Sequence, residues 1–223
     1  MKLQFDASLV APVVRRTFAH IKANWRTFAM IFFASTAAGI GVDMSESLGD
    51  AGIVFVFAFL FLNLFLQACI IIAVLNSGGQ VVSSRKWRIA SLFGVGFLTG
   101  LGIVFGLFAL ILPGLFLAGR WFLAAPALFA EDISVSDAIN ASWEATRQHW
   151  LAGTIIALVV FLCQSAPLVA GLYLVPDGDV TRIGTLAVTN ALSQGVWIFG
   201  AAAAAAMYLE IGRRAARSAE IFG

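Results

Sequence analysis

Charge is scarce in this chain: acidic and basic residues together make up 12% of it, against roughly 25% in an ordinary soluble domain. Histidine (2), cysteine (2), tyrosine (2) and proline (5) are sparse as well. Cys69 and Cys163 both fall in apolar stretches, where a thiol serves as a small buried hydrophobe, so they say nothing about redox compartment. His20 and His149 stand alone, without the spaced Cys or His partners of a zinc site. There is no nucleophile elbow and no Walker sequence, and Gly94 and Gly96 lack the strand and polar helix start of a dinucleotide fingerprint. Glu131 and Asp132 could serve acid-base chemistry, but a solvated helix end explains them more simply. The expectation is therefore a protein that is not an enzyme, with no cofactor and no metal. A net charge of +2 gives no argument for nucleic-acid binding.

What the chain has is apolar surface. Hydrophobic residues reach 61% and mean hydropathy is +0.94, the composition of an integral membrane protein. The 223 residues accommodate about six helical spans of about 20 residues and short loops, with no room for an added soluble catalytic domain. The expected fold is all-α, one polytopic helical bundle over residues 1–223. Arg15 and Arg16 break the first apolar stretch and no cleavage site follows, so no signal peptide is expected and the mature chain should begin near Met1.

Spans are expected at Trp25 to Val42, Ala51 to Leu75, Ile89 to Leu112, Gly114 to Ala130, Trp150 to Leu174 and Gly184 to Leu209. Pro113-Gly114 reads as a tight turn between the third and fourth. The fourth is short, and is read as a full span with a re-entrant path as the alternative. With the N-terminus cytoplasmic, the inner segments hold Lys2, Arg15, Arg16, Lys22, Arg26, Arg85, Lys86, Arg88, Arg147, Arg213, Arg214 and Arg217, and the outer loops hold only Arg182. That asymmetry places both termini inside, with Asp43, Glu46, Asp50, Asp177 and Asp179 outside.

Two stretches that do not span read as interfacial amphipathic helices, residues 8–22 and 132–149. In the first, Leu9, Val10, Val13, Val14, Phe18 and Ile21 recur at helical spacing, with Arg15, Arg16 and Lys22 off the stripe. In the second, Ser134 and Asp137 suit a capping box, and Ile139, Trp143, Thr146 and Trp150 share a face. The two match at a constant offset: Val14, Thr17, Phe18, Lys22 and Trp25 correspond to Ile139, Ser142, Trp143, Arg147 and Trp150. An internal duplication is one reading; the shared needs of any interfacial helix entering a membrane are the other.

The run Leu112-Pro113-Gly114-Leu115-Phe116-Leu117-Ala118-Gly119-Arg120-Trp121, then Ala125-Pro126-Ala127, Glu131, Asp137-Ala138 and Ser142-Trp143-Glu144-Ala145-Thr146-Arg147, resembles the hallmark of the YciC-like inner-membrane proteins. These are similar to the membrane domain that accompanies some glycerophosphodiester phosphodiesterases. Asn190-Ala191-Leu192-Ser193 through Tyr208 to Arg213 fits too. The resemblance implies a six-helix domain of the bacterial inner membrane and carries no defined activity, since the phosphodiesterase reaction belongs to a separate barrel domain.

Polar residues within spans are the candidate ligand-binding set. Arg120 is the one basic residue expected inside the bilayer, where a guanidinium costs about 3 kcal/mol or more unless paired or hydrated. Asn63 and Gln67 share a face of the second span, Asn190 and Gln194 a face of the sixth, and Gln164 lies mid-way along the fifth. Together they could line one polar cavity, with Arg120 and Asn190 toward the outer leaflet; interhelical hydrogen bonding is the plainer use. Gly96, Gly100, Gly102 and Gly106 give two small-xxx-small pairs suited to close packing or to a homo-oligomer. Membrane lipids are the expected partners. Two functions follow: a non-enzymatic membrane-organising or accessory protein, or a permease or lipid- and anion-handling protein built around Arg120.

Overall fold

The computed structural model describes residues 7–45, 49, 52–80, 82, 88–174 and 179–222. Lys2, Glu46, Asp50, Arg85, Lys86 and Asp177 lie outside the described residues, as do the side chains of Asp179 and Arg182. The protein is all-helical, with no strand among the described residues and six helices long and apolar enough to cross a membrane. In chain order the helices are α1 (Val10–Ala23), α2 (Trp25–Ser45), α3 (Gly52–Ser77), α4 (Ile89–Ala109), α5 (Ile111–Trp121), α6 (Ala124–Ala130), α7 (Val135–Ala145), α8 (Trp150–Leu174) and α9 (Asp179–Phe222).

Helix α9 is the organiser, packing against α1, α2, α3, α6 and α8. Its run Ala201 to Ala206 is buried, and these small side chains let the neighbouring backbones approach. No proline interrupts residues 179 to 222 and alanine favours helix, so α9 continues well past the expected end at Leu209. Large apolar side chains point outward from the spans, among them Phe33, Phe57, Phe105, Phe108 and Phe161. That inverted surface suits lipid. Both cysteines are free. At the end of α3, Gly79 takes φ +92 and the Gln80 amide donates to the Leu75 carbonyl, a left-handed stop that glycine provides without strain.

The chain reverses between α4 and α5 at Leu110, whose backbone is extended (φ −165, ψ 139), and not at Pro113-Gly114. Proline needs no amide partner in a first helical turn, so Pro113 sits inside the start of α5. Gly114 serves close packing instead: a Cβ on Gly106 would lie 2.8 Å from the Gly114 Cα. The expected fourth span is two helices, α5 and α6, joined through Phe122 and Leu123. At 1.5 Å per residue α5 alone reaches only about 16 Å, so a crossing needs both.

Helices α1 and α7 are docked on the bundle and do not float beside it. The buried face of α1 is Leu9, Val13 and Thr17, while Phe18 of the expected stripe is 59% exposed and meets Phe199 at its ring. That of α7 is Ala138, Ser142 and Thr146, one position round from the expected Ile139 and Trp143, because small residues allow the closer approach. Ser134 caps α7 as expected, accepting from the Asp137 amide and donating to its carboxylate at 2.6 Å. The 125-residue offset that relates the two sequences also relates their buried pairs, Val13 and Thr17 to Ala138 and Ser142. Their surroundings differ, α1 lying chiefly on α9 and α7 on α6, α4 and α5.

Two of the four small-xxx-small glycines are used within the chain: Gly106 faces Gly114, and Gly102 faces the Trp121 ring. Gly96 and Gly100 face open space. Gly106→Leu should therefore destabilise the fold by about 1–3 kcal/mol through overpacking, whereas Gly100→Ala should be neutral or slightly stabilising. Thermal melts in detergent check both.

Candidate functional site

Residues of the stretches 112–121 and 142–147 meet at one joint. Between α5 and α6 the helix is interrupted, which leaves backbone groups without their usual partners. The Arg120 carbonyl accepts from Ser142 Oγ at 2.8 Å and from Thr146 Oγ1 at 3.0 Å, and the Leu123 amide donates to Ser142 Oγ at 3.1 Å. Ser142 and Thr146 are fully buried. Beside them the Arg120 guanidinium lies 4.0 Å from the centre of the Trp143 ring and 5.9 Å from that of Phe116. Phe116 in turn packs edge-on against Trp143 and Trp150. Arg120 is 4% exposed and its Nε has no hydrogen-bond partner, while the two aromatic faces lie against its charge. Glycine permits the last contact: Gly153 at the start of α8 sits so close to α5 that a Cβ there would lie 2.7 Å from the Gly119 carbonyl oxygen.

The polar set does not form one cavity. Asn190 donates to the Asp43 carboxylate at 2.6 Å and to its own Leu186 carbonyl, in the room left by Gly39. Arg120 stands beside the start of α8 and Asn190 beside the end of α2, so they occupy opposite ends of the bundle and not a common leaflet. Asn63 donates to the Phe59 carbonyl of its own helix. Gln194 is buried with its Oε1 unpartnered. Gln67 and Gln164 are brought together, in a cleft of ≈ 450 Å³ between α3, α4, α5, α8 and α9 that Arg120 does not line.

The end of the bundle that carries α1 and α7 holds the ion pairs. Arg16 meets Glu210 at 2.8 Å, Arg214 meets the same carboxylate at 3.4 Å, and Arg88 meets Asp132 at 3.0 Å. Glu210 is 7% exposed, one residue beyond the expected span. Tyr208 donates to Glu131 at 2.8 Å, which gives that carboxylate a structural partner. His20 Nδ1 and Ser77 Oγ are 2.7 Å apart, tying α1 to the end of α3. Burial, and then nearby Arg16, hold the His20 imidazole below its ordinary pKa.

Sequence reasoning missed Ser142 and Thr146 as partners of the helix break, although a Ser-x-x-x-Thr pair on a docked helix was the available signal. It also missed Asp43, set in an outer loop when it belongs to α2, and the cleft residues Thr99, Trp121 and Trp197. No family model, no curated protein and no solved structure matches the chain.

Ser142→Ala should cost about 1–3 kcal/mol, since it orphans the Leu123 amide and weakens the bonding of the Arg120 carbonyl. Ala138→Ser, which adds a hydroxyl where none is needed, should not compensate; chemical denaturation in mixed micelles tests this. For His20 the sign follows from its lowered folded pKa. The neutral ring supports the fold above the unfolded pKa of about 6.5, and that support is lost as pH falls. Hydrogen exchange in α1 should therefore accelerate below that pH in the wild type and much less in His20→Gln.

Proposed function

We propose that this is a non-enzymatic protein of the bacterial inner membrane that organises lipid and accessory partners at the cytoplasmic leaflet, in keeping with its resemblance to the YciC-like proteins. That it is a multi-pass membrane protein follows from its six apolar helices. The observation that carries the finer reading is the disposition of Arg120. Its guanidinium lies against Trp143 and Phe116 and outside the central cleft, so we read the strongest candidate for an intramembrane anion site as a clamp between α5 and α7. The basic residues of the two docked helices then become the working surface. Arg147 is exposed in the stretch between Trp143 and Trp150, while Arg15 and Lys22 are exposed on the side of α1 opposite its buried face. Such collars of basic and aromatic groups suit anionic headgroups. Positive-inside asymmetry supports a cytoplasmic position for both helices. A homo-oligomer remains within this proposal, with Gly96 and Gly100 open to a second copy.

The competing reading, a permease or anion handler centred on Arg120, makes the opposite prediction. Native mass spectrometry from gentle detergent should show the same anionic lipids on wild type and Arg120→Leu, while the variant melts earlier by an amount reflecting about 1–2 kcal/mol of lost cation–π contact. Arg120→Lys should recover little of that, because a lysine cannot stack its charge as a planar guanidinium does. A specific anionic adduct present only on the wild type, with unchanged stability, would move the function to Arg120.

A further inference from the structure

The cleft that holds Gln67 and Gln164 is the least explained feature of the bundle. Neither amide makes a hydrogen bond to another described residue. Thr99 donates to the Val95 carbonyl at 2.7 Å, which leaves its oxygen free to accept. The indoles of Trp121 and Trp197 line the same space, and neither N–H has an acceptor among the described residues. Gly96 opens one wall, with nothing within 4 Å of where a Cβ would stand. Five helices thus bring residues that carry hydrogen-bonding groups to the lining of one volume of ≈ 450 Å³, and no charged side chain lines it.

These groups come near the middle of α3, α4 and α8, the depth at which a bilayer offers no water to satisfy them. Gln67 is half-buried and Gln164 is exposed at the open side of the cleft; at that depth an amide without a partner is costly, so the two amides point to something that pairs with them. The absence of any cation or carboxylate in the lining disfavours a charged ligand, whose head would be stranded at that depth. The volume is in the range of small-molecule sites, and its remaining walls are apolar: Ile71, Val95, Ile103 and Val160. We infer that this cleft binds an uncharged, hydroxyl- or amide-bearing molecule: Gln67, Gln164 and the Thr99 oxygen hold its polar head, and the two indole N–H groups donate to it. The source is either an amphiphile entering from the bilayer or a small neutral solute, and the two share that head chemistry.

Trp121 and Trp197 make the site self-reporting, because a bromoalkyl probe quenches a nearby indole. The full-length protein in phosphatidylcholine nanodiscs would be titrated with ω-bromoundecanol, ω-bromoundecanoate and ω-bromoundecyl trimethylammonium. The Trp121→Phe/Trp197→Phe double variant supplies the background from the other tryptophans. Saturable quenching by the alcohol is expected, with the two charged probes at least about tenfold weaker. Gln67→Leu and Gln164→Leu should each weaken the alcohol about fivefold, the worth of one hydrogen bond. Gly96 lines the cleft and a Cβ there meets nothing within 4 Å, so Gly96→Leu should abolish saturation without lowering the melting temperature. Displacement of the alcohol by millimolar erythritol would assign the site to a free solute, and failure to displace would assign it to an amphiphile. Quenching that rises linearly, is alike for all three probes and ignores Gly96→Leu would overturn the proposal and leave a hydrated packing gap. The result for Arg120→Leu has no bearing on this outcome, so the cleft and the proposed organising role stand or fall separately.

Discussion

A helix broken inside an apolar bundle must find partners for the backbone groups it releases, and the architecture around α5, α6 and α7 follows from that requirement. Lipid supplies no hydrogen bonds, so each orphaned carbonyl or amide carries a penalty of several kcal/mol. Here the orphans are the Arg120 carbonyl and the Leu123 amide, and α7 answers both with Ser142 and Thr146. That role dictates the composition of the buried face of α7. Only small residues at positions 138, 142 and 146 bring the hydroxyls near enough, which is why the bulky Ile139 and Trp143 turn aside. Trp143, so displaced, comes to lie over the Arg120 guanidinium. The charge that looked like the functional anomaly of the sequence is part of the same joint.

Electrostatics in the rest of the molecule is segregated by depth. Charged pairs gather at one end of the bundle, where Arg16 and Arg214 share Glu210 and Arg88 meets Asp132. At the far end of α2, Asp43 accepts a charge-assisted hydrogen bond from the amide of Asn190. Between those ends the described polar groups are neutral. What makes the central cleft distinctive is that it gathers several neutral polar residues from different helices and no charged one. Its chemistry and that of the basic collar are therefore complementary, one suited to neutral heads at depth and the other to anionic heads at the surface.

Much of the fold was legible because the signals behind it are long. Twenty-residue apolar runs identify spans with little ambiguity, and the periodicity of residues 9 to 21 identifies α1. The errors arose where a single local feature had to be weighed against packing. Pro113-Gly114 has the composition of a turn, but Pro113 is equally content in a first helical turn, and the reversal went to Leu110. Residues 114 to 130 are apolar throughout, and hydropathy cannot see a break whose repair lies 20 residues away on α7. The candidate site was less legible for a related reason. An amide on a transmembrane face has the same sequence signature whether it bonds its own helix, as Asn63 does, a neighbour, as Asn190 does, or opens into a cleft, as Gln67 does. Only the positions of the other helices distinguish these outcomes.

The comparison of α1 with α7 shows how one sequence pattern is put to two uses. Each buries a small hydroxyl residue at the equivalent position, Thr17 and Ser142, and each precedes a span that opens with tryptophan. Thr17 returns its hydroxyl to the Val13 carbonyl of its own helix, at 2.8 Å. Ser142 instead donates to Arg120 across the chain. The difference lies in what each helix covers. Below α1 runs α9, one continuous helix whose interior carbonyls bond within it, so Thr17 has no foreign acceptor to serve. Below α7 lies the interrupted α5–α6 segment, which cannot be buried without an external donor. If the two helices descend from one ancestor, the break and its repair must have arisen together in the second copy, because either alone leaves an unpaired group in the apolar interior. The same logic sets the two helices apart: displacing α1 would break its packing and the Arg16–Glu210 pair, whereas displacing α7 would strip the backbone hydrogen-bond partners from the joint on which α5, α6 and α8 converge.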